Sequence, residues 1–354
     1  MRIINYQQGL SLKTSIQELS EKDRLKLLEY ESLIKEEGDL GIKKVNKSIN
    51  VFTPDILKVS KLEFEESSNL IEEDLKAAIL VAKSNIENYS KRQFKSLQLP
   101  AKDTTSGISL WSESRPIDKV GLYVPGGSAP LLSSLLMQAI PAKVAGCKNI
   151  YVCTPSNNDG KVDPAILWIA YILNIENVYK VGGSQAIFAL ANGTESVAKV
   201  DKIFGPGNLY VTEAKRIVSS YVSIDMPAGP SEVFIISNDE KNVKIIAADL
   251  LSQLEHGIDS RAVLLSLNKN LLNMVKSEVK IQLKRLSRQE ILQQSIQNLI
   301  LVNFEDLNDL INFTNNNAPE HLIIPDDNLL SILPSINNAG SIFLGSLSPE
   351  SFGD

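Results

Sequence analysis

The chain of 354 residues contains two histidines, and each stands in a stretch crowded with groups capable of acid/base or metal chemistry. His256 falls at the end of the segment DMPAGPSEVFIISNDEKNVKIIAADLLSQLEHG, Asp225 to Gly257, three residues after Gln253. On a helix this spacing puts both side chains on one face of the last turn. An amide oxygen and a neutral imidazole there could hold a metal. The alternative is that His256 donates to the carbonyls at the helix C-terminus, whose partial negative charge favours it. The second histidine, His321, directly follows Glu320 in APEHLII, Ala318 to Ile324. A carboxylate beside an imidazole can act as an acid/base pair or simply contribute polar surface. The two cysteines, Cys147 and Cys153, flank a predicted strand, Asn149 to Val152, and read as buried thiols. A catalytic thiolate would need a positive neighbour, and the sequence shows no obvious one.

A second kind of chemistry is suggested by three glycine turns, PGGSAP at 125–130, VGGSQA at 181–186 and GPGN at 205–208. Each lies between a predicted strand and a helix N-terminus, where free N–H groups and the helix dipole suit an anion such as a pyrophosphate. None is a G-x-G-x-x-G fingerprint. Three such turns in register either line a ligand crevice or merely turn the chain.

These groups need a scaffold, and hydrophobic periodicity supplies one. The first hundred residues read as polar-faced helices: Ser20 to Lys35, stopping at Gly38, and Leu70 to Arg92, with Ser67, Ser68 and Asn69 as candidate caps. From Ser114 the pattern alternates. Strands are predicted at Lys119–Val124, Asn149–Val152, Asn177–Val181 and Val200–Phe204, with helices across 131–146, 163–173, 184–191 and 208–218. A further strand precedes the helix that carries Gln253. That helix has apolar positions Val243, Ile246, Ala247, Leu250, Leu251 and Leu254, and Gly257 is placed for a left-handed cap. Beyond it come strand Ala262–Leu267, helices across 268–295, strand Leu299–Asn303 and helix Leu307–Thr314. Strands alternating with helices imply a doubly wound parallel sheet, whose ligands bind beyond the carboxyl ends of the strands.

The length suits two domains rather than one core. With 43% hydrophobic residues, 22% charged residues and a formal net charge of −6, the composition argues for a soluble protein. It argues against nucleic acid or an anionic membrane as the main partner. The most apolar window, 131–146, is interrupted by Ser133, Ser134, Gln138, Pro141 and Lys143, too polar to span a bilayer. The N-terminus lacks the apolar core of a signal peptide, so the cytoplasm is expected.

Six blocks carry a family resemblance: RPIDKVGLYVPGG (115–127), KVGGSQAIFALANGTESVAKVDKIFGPGNLYV (180–211), DMPAGPSEV (225–233), DLLSQLEHG (249–257), NNAPEHL (316–322) and PESFGD (349–354). In this order they resemble the histidinol dehydrogenases. The resemblance implies a homodimer of α/β subunits that uses NAD and zinc to oxidise L-histidinol through L-histidinal to L-histidine. It implies two incomplete Rossmann-like domains and an N-terminal helical segment. One domain would be discontinuous, 1–118 with 232–354, and the other, 119–231, would be inserted into it. Carried over by position, Gln253, His256 and Asp354 would be metal ligands, and Glu320 and His321 the acid/base pair. Ser231, Gln253, His256, His321 and Asp354 would contact substrate, and Tyr123, Gln185 and Asn208 the nucleotide.

The sequence ends at Asp354, where the family continues into a further zinc-ligand histidine, a substrate-contacting glutamate and part of the dimer contact. Weak zinc binding and poor turnover are therefore expected of residues 1–354. The competing readings are a fragment that keeps the fold and NAD affinity without the chemistry, and a zinc hydrolase using Glu320 to activate water.

Overall fold

The structure is a computed structural model. It describes the chain except residues 8, 9, 11, 13–18, 98, 106, 127–130, 228–230 and 353–354, and it describes 99–105 and 352 by backbone alone. The chain forms two compact units, residues 17–228 and residues 1–16 with 229–354.

The first strand, β1 (Arg2–Asn5), belongs to the discontinuous unit. The 17–228 unit begins with α1 (Glu21–Ser48), capped by Ser20, whose hydroxyl accepts from the Asp23 N–H at 3.1 Å. Gly38 kinks this helix instead of stopping it, with φ 57°. The Asp39 N–H freed at the kink donates to the Glu195 carboxylate at 2.7 Å, and helix resumes. A Cβ at 38 would lie 2.1 Å from that carboxylate, which would have to move, and the left-handed φ itself favours glycine. Then comes α2 (Lys61–Ser67), started by a capping box between Ser60 and Glu63. The helix α3 (Glu73–Ser96) follows. The Ser67–Asn69 run expected to cap α3 instead closes α2 and opens a short 3₁₀ turn, Ser68–Leu70. An antiparallel hairpin, β2 (Leu99–Thr105) with β3 (Ile108–Ser112), precedes the sheet.

That sheet is built from β4 (Lys119–Tyr123), α4 (Leu132–Val144), β5 (Asn149–Thr154), α5 (Pro164–Ile172), β6 (Asn177–Lys180), α6 (Gly183–Asn192), β7 (Lys202–Phe204), α7 (Leu209–Val218) and β8 (Ser223–Ile224). All neighbours are parallel, in the order β6-β5-β4-β7-β8. Helices cover both faces, so the strands are apolar on both sides and read as continuous runs. The free edge of β6 is covered by residues 57–59, through Val59 N–H to Val178 C=O at 2.9 Å and Lys180 N–H to Leu57 C=O at 2.7 Å.

Residues 17–118 were expected to group with 232–354. Instead they pack within the 17–228 unit: α1 lies on α6 and α7, α2 on α5, and α3 on α4. The apolar stripes of these helices cover the helices and faces of this β6-β5-β4-β7-β8 sheet, which fixes their allegiance.

In the other unit, β9 (Glu232–Ile236), α8 (Val243–Leu254), β10 (Arg261–Ser266), α9 (Lys269–Leu283), α10 (Gln289–Ser295), β11 (Leu299–Asn303), α11 (Leu307–Asn317), β12 (His321–Ile324) and β13 (Ser341–Leu344) form a sheet ordered β1-β11-β10-β9-β12-β13, again parallel throughout. Helices α8 and α9 cover one face. On the other face Phe304, Phe313 and α11 pack, with Tyr6 stacked on Phe304 at 4.7 Å. Without β1 this is the strand order of the first sheet. The topological switch points therefore lie between β4 and β7 and between β9 and β12. No helix among the described residues is long and apolar enough to cross a membrane.

Candidate active site

Three adjacent strands of the discontinuous unit start with groups able to do chemistry. Ser231 and Glu232 open β9, Arg261 opens β10, and Glu320 and His321 open β12; the register pairs Arg261 with Glu232 and His321 with Val233. Because the strands are parallel, all five residues gather at the amino edge of the sheet. The side chain of Glu320 is 51% exposed and that of His321 18%. Their closest approach, Nδ1 to Oε2, is 3.9 Å, too long for a hydrogen bond. His321 Nδ1 lies instead 3.2 Å from the Glu232 carbonyl. Ser231 is half-buried, and its carbonyl accepts from the Arg261 N–H at 3.2 Å. Gly340 lies against this corner, where a Cβ would come 2.7 Å from the Glu320 carbonyl oxygen.

Helix α8 returns the chain to the same edge. It ends at Leu254, and Gly257 is not left-handed, contrary to the expected cap. The end is closed by Glu255 N–H to Leu251 C=O at 3.0 Å and His256 N–H to Gln253 C=O at 3.3 Å, a tightened last turn that needs no positive φ. Gln253 is 1% exposed and His256 is exposed. The His256 imidazole makes no hydrogen bond to the carbonyls of this helix end among the described residues. The Gln253 Nε2 is buried without a partner. Half a turn of the amide would put Oε1 in that position, so the buried, unpartnered end of Gln253 can present an oxygen to a cation. With an imidazole and a carboxylate this is a donor set that zinc accepts. Asp354 lies outside the described residues, and among those described no three His, Cys, Asp or Glu side chains cluster to hold a metal.

Tyr123, Gln185 and Asn208 share a cavity of about 450 Å³ beyond the carboxyl ends of β4, β5, β6 and β7. It is also lined by Gly126, Gly182, Lys26 and Lys180. The glycine turns are therefore brought together, with 127–130 outside the described residues. They also have a packing role: a Cβ at Gly126 would come 2.6 Å from Pro155, and one at Gly182 2.7 Å from it. Tyr123 is buried, and its hydroxyl accepts from the Gly183 N–H at 3.1 Å. Burial raises the Tyr123 pKa against the opposing effect of that bond, keeping the phenol neutral. Gln185 donates to Asn46 at 2.6 Å and accepts from Ser184 at 3.1 Å, so its amide is occupied at both ends. Asn208 caps α7 through Oδ1, which accepts from the Val211 N–H at 3.1 Å and leaves Nδ2 for a ligand.

At the carboxyl edge of the discontinuous unit, the corresponding crevice is closed by side chains. Asn238 accepts from Ser266 at 3.1 Å and from the Leu267 N–H at 2.8 Å, and its own N–H donates to Asp326 at 3.1 Å. Asn242 donates to the Pro325 carbonyl at 3.0 Å. Cys153 is fully buried, and desolvation pushes its thiol far above the usual range; Cys147 shifts the same way. Neither is a thiolate.

Sequence reading missed Glu232 and Arg261. The available signal was a charged residue on the first position of two otherwise apolar strands.

The comparisons with known proteins point to one family. A family model described as histidinol dehydrogenase matches residues 27–354. The histidinol dehydrogenase of Bacteroides thetaiotaomicron is 46% identical over 323 residues, 91% of this chain and 75% of that protein. That of Campylobacter jejuni is 44% identical over 345 residues, 95% of this chain and 78% of that one. The crystal structure of histidinol dehydrogenase from Elizabethkingia anophelis superposes with a TM-score of 0.93 at 40% identity, over 99% of this chain and 81% of that one. A methylmalonate-semialdehyde dehydrogenase from Oceanimonas doudoroffii shares the fold alone, with a TM-score of 0.52 at 12% identity over 92% of this chain and 76% of that one. With a matching family model over most of its length, and relatives this similar, the chain belongs to the histidinol dehydrogenase family.

Proposed function

We propose that the protein catalyses the NAD-dependent oxidation of L-histidinol through L-histidinal to L-histidine, the closing steps of histidine biosynthesis. The observation that carries this reading is the pairing of β9 and β12, which sets Glu320 and His321 beside Ser231 at one sheet edge. His321 holds Nδ1 against a carbonyl, which leaves Nε2 to accept the proton of the substrate alcohol. Glu320, half exposed, can reach a water and draw a proton from it for attack on the aldehyde. No cysteine is needed, because hydration of the aldehyde replaces a thiohemiacetal. Ser231 contributes a hydroxyl at the same edge.

Gln253, His256 and Asp354 would hold zinc, which when bound fixes the amino and imidazole nitrogens of histidinol. Tyr123, Gln185 and Asn208 would line the seat of NAD, which takes up one hydride in each of the two oxidations. The proposal extends to a cytoplasmic homodimer. The β2–β3 hairpin supports a partner copy, since Ile108, Leu110 and Trp111 are more than half exposed on a two-stranded sheet, an arrangement marginal in water by itself.

The test is to add histidinol and NAD to the zinc-supplemented protein, follow the absorbance of reduced nucleotide and measure histidine. Two reduced nucleotides per histidine are expected. Histidinol-independent reduction, or product stopping at the aldehyde, would overturn the reading. Sedimentation analysis decides the oligomeric state.

A further inference from the structure

We propose that Glu232 and Arg261 are positioning residues: the ion pair they form anchors the Glu320 backbone N–H, and through it the residue that carries the carboxylate, and the Glu232 carbonyl fixes His321 as the tautomer with a free Nε2. This rests on the proposed roles of Glu320 and His321 and adds what sets their geometry.

The contacts between β9 and β12 are crossed. The Glu232 N–H donates to Glu320 Oε2 at 3.3 Å, and the Glu320 N–H donates to Glu232 Oε1 at 3.4 Å. Each bond is long and weak alone, but together they fix one carboxylate against the other's backbone. Two carboxylates this close repel unless one is neutralised. Arg261 does this: its guanidinium contacts Glu232 Oε2 in an ion pair with both side chains largely buried. The guanidinium also lies over the Phe234 ring, 5.3 Å from its centre, so it is held from a second side. Glu232 is thereby paired, while Glu320 keeps an exposed carboxylate oriented by one backbone N–H, that of Glu232.

The tautomer follows from donor and acceptor roles. A carbonyl only accepts, so the 3.2 Å contact from Glu232 requires the hydrogen on Nδ1. In a neutral ring Nε2 then carries the lone pair. Glu320, 3.9 Å from Nδ1, does not compete for that hydrogen.

Kinetics and spectroscopy test the two halves separately. Glu232→Gln should lower kcat about 10–100-fold, the usual loss when a supporting partner is removed, with KM for histidinol and zinc content within about twofold. The double variant Glu232→Gln with Arg261→Met removes the stranded charge. It should recover the Tm of the parent chain but not its kcat. A double variant with kcat within about twofold of the parent would show that the pair serves stability only, and would overturn the positioning role. Arg261→Lys, which keeps charge without the planar fork, should fall between parent and double variant.

Imidazole ¹⁵N spectra give a readout that needs no turnover. With only His256 and His321 to assign, His256→Asn identifies the signals. His321 should be Nδ1-protonated at neutral to mildly basic pH, in chelator and with zinc alike; an Nε2-protonated ring would overturn the tautomer assignment. If the parent chain shows no histidinol-dependent NAD reduction, the functional reading fails, and the spectra still decide the geometry.

Discussion

The two sheets have the same strand order around β4 and β9, yet their candidate functional groups lie at opposite ends. In the 17–228 unit the carboxyl ends of β4, β5, β6 and β7 open onto a cavity lined by glycine turns. In the other unit the equivalent switch point is closed by Asn238, Asn242 and Asp326, and the candidate catalytic side chains stand at the amino edge. Topology supplies a crevice at every switch point. Which end is used depends on the residues that follow the strands. Gly-Pro-Gly after β7 leaves backbone and space, whereas Ser-Asn-Asp after β9 and Pro-Asp-Asp after β12 bond to each other and fill it. The proposed chemistry then falls at the other edge, where strand-initial side chains from three neighbours converge.

The contrast is broken most directly at the amino edge. His321→Ala should lower kcat about 10²–10⁴-fold, the range for a lost general base, with zinc content and the unfolding transition unchanged. Initial rates and metal analysis check it. Zinc lost from a folded variant would make His321 a ligand and remove the acid/base pair from that edge.

Next come two glycines at carboxyl ends. Gly205, after β7, has φ 127°, and a Cβ there would meet the Tyr123 carbonyl oxygen at 2.1 Å. Gly345, after β13, has φ 93° and nothing within 4 Å. Gly205→Ala should therefore destabilise by roughly 3 kcal/mol, backbone strain plus a clash, and Gly345→Ala by roughly 1 kcal/mol from strain alone. Urea unfolding of both variants measures the difference. Equal losses would mean that close packing at Gly205 is not what demands glycine.

Two asparagines sharpen the contrast further. Asn238→Ala removes an acceptor shared by Ser266 and the Leu267 N–H, and should cost roughly 1–3 kcal/mol while leaving KM for NAD unchanged. Asn208→Ala should cost only about 1 kcal/mol as a lost cap. It should also raise KM for NAD about fivefold, the equivalent of one hydrogen bond. If Asn238→Ala weakens NAD binding instead, the closed crevice is a ligand site after all.

Much of this was readable in the sequence, for reasons visible in particular elements. Apolar strands bounded by glycine, proline or asparagine were placed almost to the residue, β11 at Leu299–Asn303 and β6 beginning at Asn177 among them. The Glu320–His321 pair and the glycine turns stand out because adjacent residues carry the signal. What failed depends on distant partners. The strand β1 is only four residues long and exists by pairing with β11, Arg2 against Ile300. The kink at Gly38 needs Glu195. Glu232 meets a carboxylate 88 residues away and a guanidinium 29 residues away, and no local spacing announces either.

The smallest expected effect lies on the helices that return the chain to the amino edge of the sheet in each unit. Helix α4, after β4, contains no carboxylate, whereas its counterpart α8 carries Asp249 one turn before Gln253. Burial pushes the Asp249 carboxyl up to about 6, from an ordinary value of 3.8. The folded protein therefore keeps this proton at pH values where the unfolded chain has released it. The resulting stability is fully present below about pH 3.8 and is lost as pH rises through about 6. Asp249→Asn removes that dependence, while every other titrating group is common to both proteins. The Tm of the variant minus that of the metal-free parent should thus grow as pH is raised from 4 to 7. A constant offset would mean that Asp249 titrates as a solvated carboxylate, and the two returning helices would then not differ in buried charge.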